Sequence, residues 1–596
     1  MSFNHYYQSE LSALRHLGTR FAEHNPALAP FLGQSGRDPD VERLLEGFAF
    51  LTGRLRQKLD DGIPELTQSL MHLLWPNYMR PLPAFSMLQF DPLSRPGKAV
   101  HVPRGTPVES HPVDGVPCQF QTTSAIDVHP LALTAVDFAQ QGDGARLAIR
   151  AQMTTQGHIG ELALSSLRVH LAGERYVAQW LYYAMLAQAR ALVVILLDES
   201  GRPLEDAHGA PLGPTALPLD ALTAAGFTEQ DALVPYPLNT FRGYRFLQEY
   251  FVFQEKFLFV DVNGLSILQQ QPSDVLERAR GIELRFSLSK VGSQRIRPSL
   301  ENVRLYCTPV ANLFSHDAVP IRLDGRQDRY LVRPAEWEAP KCGVFSVDGV
   351  TGWRPGGKGY EAYVPFESFE HDHSSDGSGP RPHYSVRQQA AVTGDGLETY
   401  LCFGTRSGSG QETLSVELTC TNQDLPRRLR LGDICVPAEG TPKFLNFRNI
   451  TTPTASYAPP LHKDYLWKLV SNMSLNYLSL ANVEALKVIL ETYDLPRYYD
   501  PHAERVSKRL LDGLEAIRHQ QADRLYRGLP IRGIRTTLIM NPESYLGEAD
   551  LYLFASVLNE FFALYASLNS YHELQVKSTH GEVYAWTPRM GQQPLL

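Results

Sequence analysis

The residues best suited by type and spacing to do chemistry lie in one polar stretch. His371 and His373 flank Asp372, and His383 follows ten residues later. Two histidines two apart can reach one metal ion from an extended segment. No Cys or Glu at ligand spacing joins them and Ser, Gly and Pro surround them, so the stretch reads as a solvated loop and no metal is assigned. Gly404-Thr405-Arg406-Ser407-Gly408-Ser409-Gly410 is glycine-rich but lacks the lysine and following helix of a phosphate-cradling loop, and reads as a hairpin loop. No G-x-S-x-G elbow occurs. Tyr250-Phe251-Val252-Phe253 has the aromatic density of a ligand platform, though core packing is the plainer use. His111 and His129 have no assignable partners, and the carboxylates are too scattered to nominate a glycosidase pair. No catalytic, cofactor-binding or metal-binding residue is therefore assigned, no cofactor is expected, and the chain is not read as an enzyme. A β-rich carbohydrate-active hydrolase or a binding module is the competing class, because a large enzyme can draw its site from distant segments.

The bulk chemistry narrows the partners. The 596 residues are 43% hydrophobic and 20% charged, with a net charge of -8 from 56 basic and 64 acidic residues. A chain built to neutralise phosphates carries a basic surplus, so nucleic acid is not an expected partner. Cys118, Cys307, Cys342, Cys402, Cys420 and Cys435 form no C-x-x-C pair and are too few for a disulfide scaffold, which suits reduced thiols in the cytosol. The start, MSFNHYYQSEL, has no basic and apolar leader, and the strongest aliphatic run, Ala191 to Leu197, is too short to span a bilayer. A cytoplasmic protein without direct membrane insertion is expected.

The elements that would position any site follow from periodicity. Tyr7, Leu11, Leu14, Leu17 and Phe21 form a helical stripe. A second helix opens with Asp38 as N-cap and Pro39 at its first position, and carries Val41, Leu44, Leu45, Phe48, Leu51, Leu55 and Leu59 on one face. Pro64 starts a third helix that stops at Trp75-Pro76. From about 85 to 450 short extended runs alternate with Gly and Pro signals, interrupted by a helix from Tyr244 to Lys256. Stripes at Leu466–Tyr477 and at Val506, Leu510, Leu514 and Ile517 predict further helices. A β-α-β unit closes the chain, with strands Gly533–Met540 and Glu573–Ser578 around a helix from Glu548 to Ser567. The fold class is α+β multidomain, divided into a helical segment 1–80, β-rich domains 81–310 and 311–455, and a mixed α/β association domain 456–596. The stripe Val41, Leu44, Leu45, Phe48 and Leu51 is expected at an interface. Leu553 and Phe562 are expected there too, because they lie off the main apolar face of the last helix.

Several segments together resemble the TssF family of type VI secretion baseplate subunits, which is similar to phage baseplate wedge proteins. They are Tyr6-Tyr7-Gln8 with Glu10-Leu11, DPDVERLLEGFAFLTGRLRQKLDD (38–61), VPRGTPV (102–108), QFQTTSAIDVHP (119–130), FLQEYFVFQEKFLFVDVNGL (246–265), CTPVANLFSHDAVPIRLD (307–324) and VLNEFFALYASLNSYHEL (557–574). Gln254 stands where the family pattern has proline. The resemblance implies a structural wedge subunit that assembles with TssG, TssK, TssE and a second TssF copy around the VgrG hub. Such a wedge starts Hcp tube and sheath assembly in a cytoplasmic baseplate that TssK links to the inner-membrane complex.

Overall fold

The computed structural model describes residues 7–8, 11–15, 17, 39–95, 99–142, 144–206, 208–236, 243–289, 296–324, 327–337, 341–353, 359–366, 382–391, 396–403, 412–461, 465–473, 482–526, 529–567 and 570–591. Helix α1 (Pro39–Leu74) opens on Pro39, whose missing N–H falls among the unpaired donors of a first turn; the expected cap, Asp38, lies outside the described residues. The helix runs unbroken through Pro64, where the sequence suggested a new start. Proline withholds one N–H from the ladder, but its fixed φ is helical and the ladder resumes beyond it.

Among the described residues the middle of the chain builds antiparallel sheets of six, five and four strands and a two-stranded pair, Val100–Val102 with Ile126–Val128. Strand β1 (Phe85–Phe90) pairs with two strands distant in sequence, Cys307–Ala311 and Phe447–Asn449. Strand β2 (Ser166–Leu171) feeds α2 (Arg175–Ala187). Helix α3 (Gly243–Val252) leads through a 3-10 turn, Gln254–Phe257, into β3 (Phe259–Asn263), which pairs with β2. Strand β4 (Cys307–Ala311) joins the first sheet between β1 and Val116–Thr122. A separate eight-stranded sheet spans Phe314 to Thr421 around its own small core of Leu401, Leu414, Val416, Leu418 and Cys420. In it Glu412–Thr421 alternates buried and exposed, as its sequence predicts. Asn312 and Asn422, both fully buried, tie this sheet to the first: Asn312 Nδ2 donates to Gln119 O at 2.6 Å and to Asn422 Oδ1 at 2.8 Å. The chain then returns to the first sheet with Ile434–Pro437 and Phe447–Asn449.

The last part holds α4 (Tyr465–Met473), α5 (Val483–Tyr493) and α6 (Pro501–Asp512). Then come β5 (Leu514–Tyr526), β6 (Leu529–Met540), α7 (Glu548–Ala563) and β7 (Tyr571–Ser578). Strands β6 and β7 are parallel, in register from Gly533 opposite Tyr571 to Met540 opposite Ser578, so the closing β-α-β unit stands as expected. Leu514 and Ile517 do not extend the helical stripe of Val506 and Leu510. The helix stops at Gly513 and both residues enter β5, where Ile517 pairs with Leu538.

Helix α7 decides how this end of the chain sits. Leu551, Leu553, Phe554, Val557, Leu558, Phe561 and Phe562 are all fully buried, and a helix apolar all round belongs inside a protein. The interface expected at Leu553 and Phe562 is therefore corrected, since both are core residues. Phe562 stacks on His572 of β7 at 5.5 Å, toward the sheet. The opposite side meets the middle of the chain, with Phe554 5.1 Å from Tyr250 of α3 and Tyr552 5.5 Å from Tyr183 of α2. Helices α2 and α3 cover what the sequence left open, and one hydrophobic core runs from Met71 to Tyr584.

Residues 455–596 expressed alone should expose Tyr552, Phe554 and Phe561. We expect that fragment to aggregate or to bind a hydrophobic dye without a cooperative melting transition. A monomer with sharp, native-like unfolding would contradict this packing.

Candidate functional site

Two features stand out from the residues upward. The first is a knot of buried charge where α3 meets the sheets. Lys256 and Glu249 are 1% and 3% exposed and form an ion pair, the Glu249 carboxylate also accepting from the Leu233 amide at 2.8 Å. Helical spacing places Glu249 in the last turn of α3, and the 3-10 turn after Phe253 folds Lys256 back onto it. Beside them Arg168 of β2 donates from Nε to Asp261 Oδ1 at 2.7 Å and from Nη1 to Asp231 Oδ1 at 3.1 Å. Burial works against both charges, but this pairing outweighs it: the Arg168 guanidinium is held above its usual range and the Asp231 carboxyl below its own. Arg245, also buried, donates to the carbonyls of Phe227 and Thr228, and Arg104 to that of Ala232 at 3.0 Å.

Four segments that carry the family resemblance converge here. VPRGTPV supplies Arg104, QFQTTSAIDVHP supplies Ser124, the 246–265 segment supplies Glu249, Lys256 and Asp261, and the 307–324 segment supplies Thr308 and Pro309. The Ser124 and Thr308 hydroxyls lie 2.9 Å apart. Ser124, Arg168, Gly226, Asp231, Lys256, Phe259 and Pro309 line a cavity of about 210 Å³ including its open mouth. That is below the roughly 300–1,000 Å³ of small-molecule sites, so the knot is a structural joint rather than a substrate pocket. Gly226 is required there: its φ is +94°, and a Cβ would lie 2.6 Å from the Lys256 carbonyl oxygen.

On the same helix Tyr244 organises an aromatic cluster. Its ring stacks on Tyr493 of α5 at 4.4 Å, and its hydroxyl shares a 2.6 Å hydrogen bond with that of Tyr565 and lies 3.0 Å from Asn472 O. Trp75, at the end of α1, meets it edge-on at 5.4 Å and Phe561 of α7 lies at 5.7 Å. Gln254, the departure from the family pattern, turns its amide toward Asp550 of α7 at 3.4 Å, where Gln179 of α2 also donates at 2.6 Å.

The second feature is the exposed side of α1. The small Ala49 and Gly53 are buried, whereas Leu44, Phe48 and Leu51 are 74%, 56% and 62% exposed; Val41 and Leu45 are half-buried. Around residues 41–53 the helix buries a small-residue face and turns Leu44, Phe48 and Leu51 to solvent. The sequence found this stripe but not the charged knot, whose charged members come from four separate stretches, at Arg104, at Arg168, at Asp231 and between Arg245 and Asp261; the nearest signal was Glu249 and Lys256 seven apart at a helix end.

Most of the residues that first suggested chemistry are not among those described. His371, Asp372 and His373, and the glycine-rich 404–410 stretch, lie outside the described residues, and His383 begins a strand. His111 Nε2 meets Cys435 Sγ at 3.3 Å on the surface. Among the described residues no group of three or more His, Cys, Asp or Glu could hold a metal ion. Tyr250 and Phe253 are core residues, as expected.

The family model described as "Type VI secretion system, TssF" matches residues 1–593. The type VI secretion system component TssF1 of Pseudomonas aeruginosa is 29% identical, with 99% of each chain covered. A chain in the cryo-electron microscopy structure of a TssK-TssF-TssG baseplate subcomplex is 32% identical, with a TM-score of 0.74 over 93% of this chain and 99% of that one. A chain of another type VI secretion baseplate complex is 28% identical with a TM-score of 0.59, both chains covered in full.

Removing one partner of a buried pair strands the other charge. Lys256→Met should cost about 3–5 kcal/mol of unfolding free energy, and the double change Glu249→Leu/Lys256→Met should restore most of it. Burial holds the Lys256 ammonium down to about 8, Arg245 adding to the depression and Glu249 opposing it. The unfolded chain thus binds a proton between about 8 and 10.5 that the folded chain has released, and stability rises with pH through the lower part of that window. Denaturant titrations from pH 7.5 to 9.5 should show the rise in the unaltered protein and flatten it in the double variant.

Proposed function

The chain belongs to the TssF family of the type VI secretion system, and from that premise we propose that it is a non-enzymatic structural subunit of the baseplate wedge. The observation that carries this is end-to-end similarity to a chain solved within a TssK-TssF-TssG subcomplex. In this reading the protein binds TssG- and TssK-type subunits, joins TssE and a second copy of itself around a VgrG-type hub, and helps start tube and sheath assembly. It works in the cytoplasm, in a platform docked to the inner membrane through TssK. Among the described residues no helix is long and apolar enough to cross a membrane, which fits docking through a partner.

The physical chemistry supports a joint-and-strut part. Obligate interfaces bury roughly 2,000 Å² or more and resemble a core cut in half. The α1 stripe offers such a half: Leu44, Phe48 and Leu51 on rigid helical spacing, backed by buried Ala49 and Gly53. We place the contact with TssG, or with the second copy, on Val41, Leu44, Leu45, Phe48 and Leu51. The divisions at 80, 310 and 455 mark the units in which the chain is proposed to act, with 1–80 reaching for partners and the remainder forming the body.

Co-expression with the TssG and TssK subunits of the same system should yield a ternary complex by affinity purification and size exclusion. Phe48→Ala should leave the isolated protein's stability within about 0.5 kcal/mol, since the ring is already exposed. The same change should weaken recovery of the complex by the 2 kcal/mol or so typical of an aromatic anchor. Failure to form the complex, or full recovery with the variant, would contradict the proposal, as would genuine turnover of a glycan by the purified protein.

A further inference from the structure

Among the described residues the C-terminal sheet has an open rim. Strand β5 is its edge: among the described residues it pairs only with β6, over the whole run from Leu514 opposite Met540 to Tyr526 opposite Leu529. Strand β7 covers β6 only from Gly533 onward, so Asp523–Tyr526 and Leu529–Arg532 project beyond the sheet as a two-stranded arm. From Arg518 to Leu525 no residue of β5 is buried. Exposed edges are commonly blocked by proline, by a bulge or by charged side chains, lysine above all, and here the charges are Arg518, Asp523 and Arg524. Between Ala516 and Tyr526 there is neither proline nor lysine, and the one irregularity sits at the start of the strand, between Leu514 and Ala516.

The edge strand itself carries Arg518 and Arg524 against Glu515 and Asp523, so what marks it is the placement of its arginines and not a net charge. Arg535 is paired with Glu573 at 3.1 Å. Arg518, Arg524 and Arg532 are exposed and make no hydrogen bond or ion pair among the described residues. Strand alternation puts Arg518 and Arg524 on one face, six residues apart, with Arg535 opposite Gln520 between them. Guanidinium groups held at fixed spacing suit carboxylates, which they bind through paired N–H donors.

We propose that the outer edge of β5 is a docking site for an acidic, extended segment of a partner protein, which adds to the sheet as a further strand and sets its carboxylates against Arg518 and Arg524. A polypeptide is favoured over a nucleic acid because a free strand edge offers a ladder of N–H and C=O groups that only another peptide backbone can match. The site lies away from the α1 stripe and stands independently of the baseplate reading.

The test uses the full-length protein and a fluorescein-labelled peptide of eleven residues with Glu at alternate positions and Thr or Val between. Anisotropy should show saturable binding, and R518E/R524E should weaken it about tenfold or more, as loss of two exposed ion pairs implies. The same peptide with proline at alternate non-acidic positions keeps its charge but cannot form a ladder, and should bind poorly. Equal binding of the proline peptide, or unchanged binding by the double variant, overturns the proposal. So does tighter binding of single-stranded DNA or phosphatidylserine vesicles with the same dependence on Arg518 and Arg524. Self-association in sedimentation equilibrium that R518E/R524E abolishes would overturn it in favour of a second copy. If R518E/R524E melts below the parent, R518Q/R524Q takes its place, with weaker peptide binding again required.

Discussion

The rest of the structure depends on one buried ion pair. Lys256 and Glu249 are taken almost wholly out of water, which is tolerable only if each charge finds the other and their remaining polar valences are met. Satisfying them fixes the angle at which α3 leaves its last turn and enters β3. One side of α3, with its own Arg245 and Glu249, then faces Arg168, Asp231 and Asp261, while Tyr244 reaches another way to Tyr493, Tyr565 and Trp75. A shift in the pair would be felt at both ends of the helix, because tightly packed interiors transmit displacement rather than absorb it.

This arrangement explains how so many short strands act as one body. The β-rich middle, the end of α1 and the C-terminal helices all touch α3, and α7 is buried between β7 and the pair α2 and α3. The continuous core from Met71 to Tyr584 couples these parts, because close-packed interiors transmit displacement. The eight-stranded sheet between Phe314 and Thr421 is different. Its core is separate, and the Asn312–Asn422 bridge is one of its links to the rest. The body is therefore a centre with a satellite sheet, and α1, anchored in the centre by Met71, leaves Leu44, Phe48 and Leu51 exposed.

What the sequence made legible followed from local rules. The closing β-α-β unit and the alternation of Leu414, Val416 and Leu418 were readable because period and burial agree within one element, whereas the α1 stripe was readable only as a helix, its large residues being exposed. Pro64 misled because proline is a helix breaker only on average; the backbone angle it fixes is a helical one. Leu514 and Ile517 misled because a helical stripe can run on by chance past a terminator such as Gly513. Leu553 and Phe562 were assigned to a partner because the last helix has more apolar surface than a small sheet needs. The missing cover came from α2 and α3, some three hundred residues away, where no local pattern reports it. The charged knot was invisible for the same reason, since Arg168, Asp231 and Lys256 acquire meaning only when the chain brings them together.

The central claim is that α3, locked by its ion pair, unites the middle and the C-terminal part into one cooperative body. Native-state hydrogen exchange of the full-length protein in low denaturant tests it most directly. The account predicts that the slowest amides of α3 (243–252), β4 (307–311) and α7 (548–563) merge into a single global opening with one free energy and one denaturant dependence. If α7 opened several kcal/mol below α3, with a smaller denaturant slope of its own, the two would be separate folding units and the account would be wrong.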